Sequence, residues 1–144
     1  MPNVKEGILI SADRDTLWSL LTTPDSILQW YEGLETLEAT PDYPAIGSVM
    51  RWTYKVGGLE FKGTHTVRSI TPGAVIGYQL DGLITGMETW RVSETQGGLQ
   101  LDVENTYTMS GGVLGKLAEP VVHQMNLGNA RKSLAKLKQM AEGR

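Results

Sequence analysis

The stretch from Val113 to Glu142 constrains the chain more than any other. It follows Ser110-Gly111-Gly112, contains one proline, Pro120, and is the only segment long and periodic enough for a long helix. Everything before it reads as short strands and turns, apart from two brief helical signals near the start. A one-sided sheet must bury its apolar face, and a single long helix is the available cover. The expectation is a sheet wrapped around this helix. The helix itself carries two apolar stripes. Leu114, Leu117, Ala118, Val121, Val122 and Met125 form the first; Leu127, Ala130, Leu134, Leu137 and Ala141 form the second. Met125 and Leu127 stand about 200° apart around the axis, and Pro120 removes a backbone donor and can bend the helix. The pattern predicts two tasks. The first half roofs a space beneath it, with Met125 as an adaptable wall. The second half clamps the protein body or a partner.

The earlier elements follow in order. Val4 to Ile10 is a strand. Ser11 or Asp13 caps a helix carrying Leu17, Trp18, Leu20 and Leu21, because a short side-chain oxygen accepts from a free first-turn N–H. Thr23 caps the next helix, with Pro24 at its first position and Gly33 as its stop. From Leu34 the period becomes two. Met50, Trp52, Tyr54 and Val56 share one face; after the Gly57-Gly58 turn, Leu59, Phe61, Gly63, His65 and Val67 return on it. Ala74, Ile76, Tyr78 and Leu80 make the next half-buried strand. Ile84, Gly86, Glu88, Trp90 and Val92 follow, then Leu99, Leu101, Val103, Asn105, Tyr107 and Met109. The sum is a strand, two short helices, about six antiparallel strands in a meander and a long helix, an α+β arrangement with a sheet of about seven strands. Such a sheet curls because strands twist. A curled sheet gripping a helix leaves an internal cavity, and clefts of this kind hold ligands.

Composition narrows the field. With 144 residues, the chain suits one domain spanning 1–144. A formal charge of −3 supplies no basic face, so no nucleic-acid partner is expected. Lys and Arg gather at Arg131, Lys132, Lys136, Lys138 and Arg144, which reads as a solvated face with charge favourable to a helix C-terminus. The absence of cysteine removes disulfides, thiolate metal sites and cysteine nucleophiles. Nothing in the first residues reads as a signal peptide, and no apolar run approaches the roughly 18 residues of a membrane span, so a cytoplasmic location is the default.

Strand parity sends polar residues inward with the apolar set: His65, Glu88 and Asn105, beside Tyr54, Tyr78 and Tyr107. A buried carboxylate is costly unless hydrogen-bonded or paired. These groups around an apolar space can bind a polar head or run acid–base chemistry on a carbonyl compound, with Glu88 and His65 as candidate catalytic residues. The plain alternative puts Glu88 at a strand end near solvent and makes His65 a satisfied core residue. Trp18, Trp30, Trp52, Phe61 and Trp90 are each either core or pocket wall. The candidate ligand-binding set is Trp52, Tyr54, Phe61, His65, Tyr78, Glu88, Trp90, Asn105, Tyr107, Val121 and Met125. A metal would require His65, Glu88 and His123, and nothing in their spacing supports it; no metal and no cofactor are expected. Gly111 to Lys116 lacks the residues of a phosphate loop, and there is no nucleophile elbow. Gly57-Gly58, Gly82 and Gly111-Gly112 are the flexible points, with Gly111-Gly112 and the first turn of the long helix expected to move when a ligand enters.

Several local motifs carry a resemblance. They are Ile10-Ser11-Ala12-Asp13 leading to Leu17-Trp18, Gly47-Ser48-Val49, Glu88-Thr89-Trp90-Arg91, and Tyr107-Thr108-Met109-Ser110-Gly111-Gly112-Val113-Leu114-Gly115-Lys116-Leu117. With the order of elements, they resemble the SRPBCC, or START-like helix-grip, superfamily of the birch-pollen-allergen type. The nearest likeness is to its small bacterial polyketide cyclase/dehydrase and lipid transport proteins. The resemblance implies the helix-grip fold over nearly the whole chain, and no shared catalytic motif. Its members bind lipids, hormones or polyketides, cyclise some of them, or bind other proteins, and fold alone does not choose among these. The favoured expectation is binding or transport of a small hydrophobic ligand such as a lipid, quinone or polyketide, by a monomer or homodimer. The alternatives are a polyketide aromatase/cyclase or dehydratase, and a ribosome- or chaperone-associated interaction module.

Overall fold

A computed structural model describes residues 3–56, 59–82, 84–109 and 112–143. The elements run β1 (Asn3–Ile10), α1 (Arg14–Thr22), α2 (Pro24–Trp30), β2 (Leu34–Ala39), β3 (Val49–Val56), β4 (Leu59–Thr71), β5 (Val75–Gly82), β6 (Ile84–Thr95), β7 (Gly98–Met109) and α3 (Gly112–Ala141). The strands form one curved antiparallel seven-stranded sheet in the order β1-β7-β6-β5-β4-β3-β2. Strands β2 to β7 are a meander. The first strand joins the far side by pairing with β7, so α1 and α2 link the two edges of the sheet.

Local chemistry explains the joints. The Asp13 carboxylate accepts from Thr16 N at 2.7 Å and caps α1. Ser11, the other candidate cap, instead donates its backbone N–H to Glu142 at 2.8 Å. Thr23 occupies the cap position of α2 with Pro24 behind it, but its side chain makes no capping bond. Pro24 lacks the N–H at that position, and helix start here rests on its fixed φ. In β4, a bulge between Val67 and Ser69 shifts the parity. His65 and Val67 face inward before it, and Ile70 packs on the core after it.

The core fills the inner face. Ile76, Tyr78 and Leu80 from β5, Trp90 and Val92 from β6, and Leu99, Leu101 and Val103 from β7 meet Leu17, Leu21, Ile27 and Trp30 from the short helices. Leu134 and Leu137 of α3 close the same core. Among the described residues, no helix is long and apolar enough to cross a membrane. The basic residues of α3 do more than face water. Arg131 pairs with Glu6, Lys136 with Glu32, and Lys138 with Glu142 and the Leu9 carbonyl. Exposed pairs are worth little individually, about 0–1 kcal/mol; here they repeatedly tie α3 to β1 and to the end of α2.

Among the described residues, the second half of α3 takes on both tasks expected of the helix, and the roof expected of Val121 and Met125 is not seen. Val121 is 64% exposed. The inward line of the helix is instead Asn126, Asn129, Ala130 and Ser133, continuing through Leu134 and Leu137 at steps of three and four. The second half therefore both walls the interior and clamps the core. Leu114, Leu117 and Ala118 belong to side chains outside the described set, as do the Gly57-Gly58 turn and Gly111.

Gly86 shows how tightly β6 and β7 are joined. Its φ is +156°, and a Cβ would lie 2.0 Å from the Thr106 carbonyl oxygen and 2.7 Å from Tyr107 Cα. Both obstacles are backbone, which cannot rotate aside. Gly86→Ala is expected to lower the unfolding free energy by about 3 kcal/mol; an unchanged urea midpoint would contradict this.

Candidate functional site

A cavity of about 90 Å³ lies between the inner face of the sheet, the two short helices and α3. Its wall is mostly apolar. Among the described residues lining it, Glu88 is the one carboxylate, and neither Lys nor Arg contributes.

Strand register assembles its polar cluster. Tyr78 stands opposite Glu88 across β5 and β6, and Glu88 stands opposite Asn105 across β6 and β7. His65 on β4 reaches past β5 to Glu88, its Nε2 lying 2.8 Å from Oε2. The other carboxylate oxygen, Oε1, accepts from the Tyr31 hydroxyl at 2.8 Å and from Asn105 Nδ2 at 3.0 Å. Trp52 donates its indole N–H to His65 Nδ1 at 2.7 Å. An indole N–H can only donate, so Nδ1 is an acceptor and the ring proton sits on Nε2, facing Glu88. Trp52 thereby sets the tautomer that presents a donor to the carboxylate.

Glu88 is only 2% exposed. Burial pushes its pKa up, but the interaction with His65 and the hydrogen bonds from Tyr31 and Trp90 outweigh it and hold the carboxyl below its ordinary value. The phenols shift the other way. Burial and the neighbouring Glu88 carboxylate raise the Tyr31 hydroxyl well above the usual range, so it stays a donor. Burial and Tyr43 do the same to Tyr78. Burial is also the main cause for Tyr43, which is raised to about 12. The Tyr43 and Tyr78 hydroxyls share a hydrogen bond of 2.7 Å, and Asn129 donates to the Tyr54 hydroxyl.

Two polar atoms in the wall stand apart. Asn105 Oδ1 and Asn126 Nδ2 are buried and have no hydrogen-bond partner among the described residues. The orientation of Asn105 is fixed, because a flipped amide would turn its oxygen toward the Glu88 carboxylate.

Of the residues expected at a site, the structure brings together Trp52, Tyr54, His65, Tyr78, Glu88, Trp90 and Asn105. Phe61, Tyr107, Val121 and Met125 do not line the cavity. Phe61 pairs with Tyr54 near the far end of the β3–β4 hairpin. Tyr107 is fully buried and its hydroxyl meets His123 Nδ1 at 3.1 Å. Val121 points outward. Met125 is one step, about 100°, from the inward Asn126. Glu88 is deeply buried rather than at a wet strand end. Sequence reasoning missed Tyr31, Asn126, Asn129 and Ser133, all of which line the cavity. The three α3 residues share the helical phase of Ala130, Leu134 and Leu137, a signal that was present but carried by polar side chains. Ser133 also accepts the Glu32 backbone N–H at 2.9 Å, fixing the end of α2 to the helix.

None of the curated protein sequences matches the chain. Solved structures share its fold. The protein TTHA0849 from Thermus thermophilus superposes with a TM-score of 0.83 at 16% identity, covering 97% of this chain and 97% of that one. The Zhui aromatase/cyclase from Streptomyces sp. R1128 gives 0.78 at 18% identity, covering 99% and 94%. The di-domain aromatase/cyclase StfQ of the steffimycin biosynthetic pathway gives 0.80 at 17% identity; the match covers 99% of this chain and 51% of that one, so the chain spans about half its length. Sequence identity at this level speaks for fold alone. The family profile described as polyketide cyclase / dehydrase and lipid transport matches residues 1–142. With the helix-grip sheet, the α3 cover and the enclosed cavity in place, the chain belongs to the polyketide cyclase/dehydrase and lipid transport family of the SRPBCC superfamily.

Proposed function

We propose that the protein binds a small hydrophobic molecule, such as a lipid, quinone or polyketide-like compound, in this cavity, and serves as a carrier or sensor. One observation carries the reading. The acid–base pair in the apolar cavity is engaged by its own hydrogen bonds: both nitrogens of His65 and both oxygens of Glu88 have partners within the protein. A general base needs a lone pair aimed at the substrate proton. Here the one lone pair of His65 is taken by Trp52, and Glu88 already accepts from His65, Tyr31 and Asn105. The family and the fold are consistent with hydrophobic ligands. A cavity of about 90 Å³ is smaller than the roughly 300–1,000 Å³ typical of drug-sized ligands. A polyketide-sized occupant would therefore have to displace part of the wall.

Ala130 faces the cavity from α3. In Ala130→Leu, the added side chain takes up much of the space. Native mass spectrometry of the protein from its own host is expected to show a retained small molecule in the wild type and none in the variant, with the melting temperature held or raised. Equal retention in both proteins would sink the cavity reading.

The second reading is an aromatase/cyclase or dehydratase, favoured by the Glu88–His65 pair and by the printed names of the structural neighbours. Turnover of a polyketide-like substrate, lost in Glu88→Gln while binding persists, would favour it over the carrier.

A further inference from the structure

The polar atoms of the cavity wall point to the chemistry of its occupant. From the buried Glu88 carboxylate and the unmatched Asn105 Oδ1 and Asn126 Nδ2 atoms, we infer that the cavity selects an uncharged, largely apolar molecule bearing an O–H or N–H donor and an acceptor, and rejects organic anions. This rests on the cavity-binding reading above.

The argument against anions is electrostatic. Glu88 is buried in the wall, and among the described residues lining the cavity there is no Lys or Arg to balance a second negative charge. The nearest ring, His65, offers its proton to Glu88 and its lone pair to Trp52. A carboxylate or phosphate entering this space would lose its hydration and meet a like charge at low dielectric. A fatty acid or acyl phosphate is therefore the wrong class of occupant.

The argument for a donor is one of matching. The single carbonyl oxygen of Asn105 faces no donor among the described residues, and its amide nitrogen is already committed to Glu88. Asn126 offers an amide N–H with no acceptor among the described residues. A buried polar group without a partner is costly, and a ligand that supplies the partner recovers the difference. A hydroxyl can donate and accept at once; a secondary amide can do the same. A pure hydrocarbon can do neither.

Three probes on one ring system separate the cases: 1-naphthol, naphthalene and 1-naphthoate, measured by calorimetry on the intact wild-type chain at neutral pH. 1-Naphthol is expected to bind at least about tenfold more tightly than naphthalene. 1-Naphthoate is expected to bind about a hundredfold more weakly than 1-naphthol, or not measurably. In Glu88→Gln the penalty on 1-naphthoate should shrink by about tenfold. In Asn126→Leu the preference for 1-naphthol over naphthalene should fall below about threefold while naphthalene still binds. Equal affinity for 1-naphthol and naphthalene in the wild type would mean that water satisfies the two amides, and would overturn the donor assignment with the cavity reading intact. Tight binding of 1-naphthoate would overturn the exclusion of anions in the same way. Binding of none of the three would overturn the cavity reading itself and this inference with it. The wild-type comparison decides without either variant, so a variant that fails to fold leaves the outcome standing.

Discussion

His65→Leu is expected to lower the unfolding free energy by about 3 kcal/mol at neutral pH and to reverse its pH dependence in the acid range. The substitution strips two partners at once. Glu88 stays buried but loses the donor at Oε2, and the Trp52 indole N–H loses its acceptor. The sign of the pH effect follows from the forces on Glu88. In the wild type the carboxyl is held below its ordinary value of 4.5, although burial pushes the other way. A depressed carboxyl contributes stability that is present above the unfolded value and is lost as pH falls through the folded one. Stability of the wild type should therefore drop on acidification below about 4.5. Without His65, burial is the largest single force left, and the donors that remain against it are Tyr31, Trp90 and Asn105. The Glu88 pKa then rises above its ordinary value, its share of stability is present at low pH, and it is lost as pH climbs. Urea melts of both proteins from about pH 3.5 to 8, a span chosen to bracket carboxylate titration, measure the two slopes. A variant with the wild-type slope would show that His65 is not what holds Glu88 ionised.

The parts of this site that were legible in the sequence came from one rule. In a strand of period two, a polar residue sharing parity with buried apolar neighbours goes inward whatever its own preference. That rule put His65, Glu88 and Asn105 in the wall with Trp52, Tyr54, Tyr78 and Trp90, and the register then made Glu88 and Asn105 direct neighbours. On the helix, hydropathy marks only the apolar stripes, and Asn126, Asn129 and Ser133 carry no such signal although they share a face with Ala130, Leu134 and Leu137. The first apolar stripe was extended to Met125 on hydropathy, while the helix turned Asn126 inward in its place. Tyr31 was out of reach for a different reason. It ends the apolar run Ile27, Leu28, Trp30 and Tyr31 of the second short helix, but as the C-cap of α2 its ring direction is decided by where α2 lands on the sheet. The pairing of β1 with β7 is a long-range choice of the same kind, since no turn in the sequence joins those strands.

Gly63 was legible only as an inward position, and its role lies in what it lacks. It stands opposite Trp52 in the β3–β4 register, with His65 two residues further along the same face. A Cβ on Gly63 would lie 2.3 Å from Trp52 Cζ2, 2.5 Å from Cη2 and 2.7 Å from the Asp81 backbone oxygen. The missing side chain is therefore the space into which the indole lies across β4, and from there its N–H reaches His65 Nδ1 at 2.7 Å. Gly63→Val is expected to cost about 2–4 kcal/mol, since a large buried ring and a backbone oxygen must both yield. It should also move the indole off His65. With Nδ1 released, the ring proton is no longer confined to Nε2, and Glu88 loses its assured donor. Nitrogen-15 spectra of the imidazole read the tautomer directly: the wild type should show the form protonated at Nε2, and Gly63→Val a mixture. Trp52→Phe separates the two consequences. It removes the indole N–H without adding atoms to the strand, so it should give the same mixed imidazole signature for a smaller loss, about 1–2 kcal/mol. If Gly63→Val instead kept both the wild-type stability and a single imidazole tautomer, the ring would have another route to His65, and the glycine would have no part in arming the carboxylate.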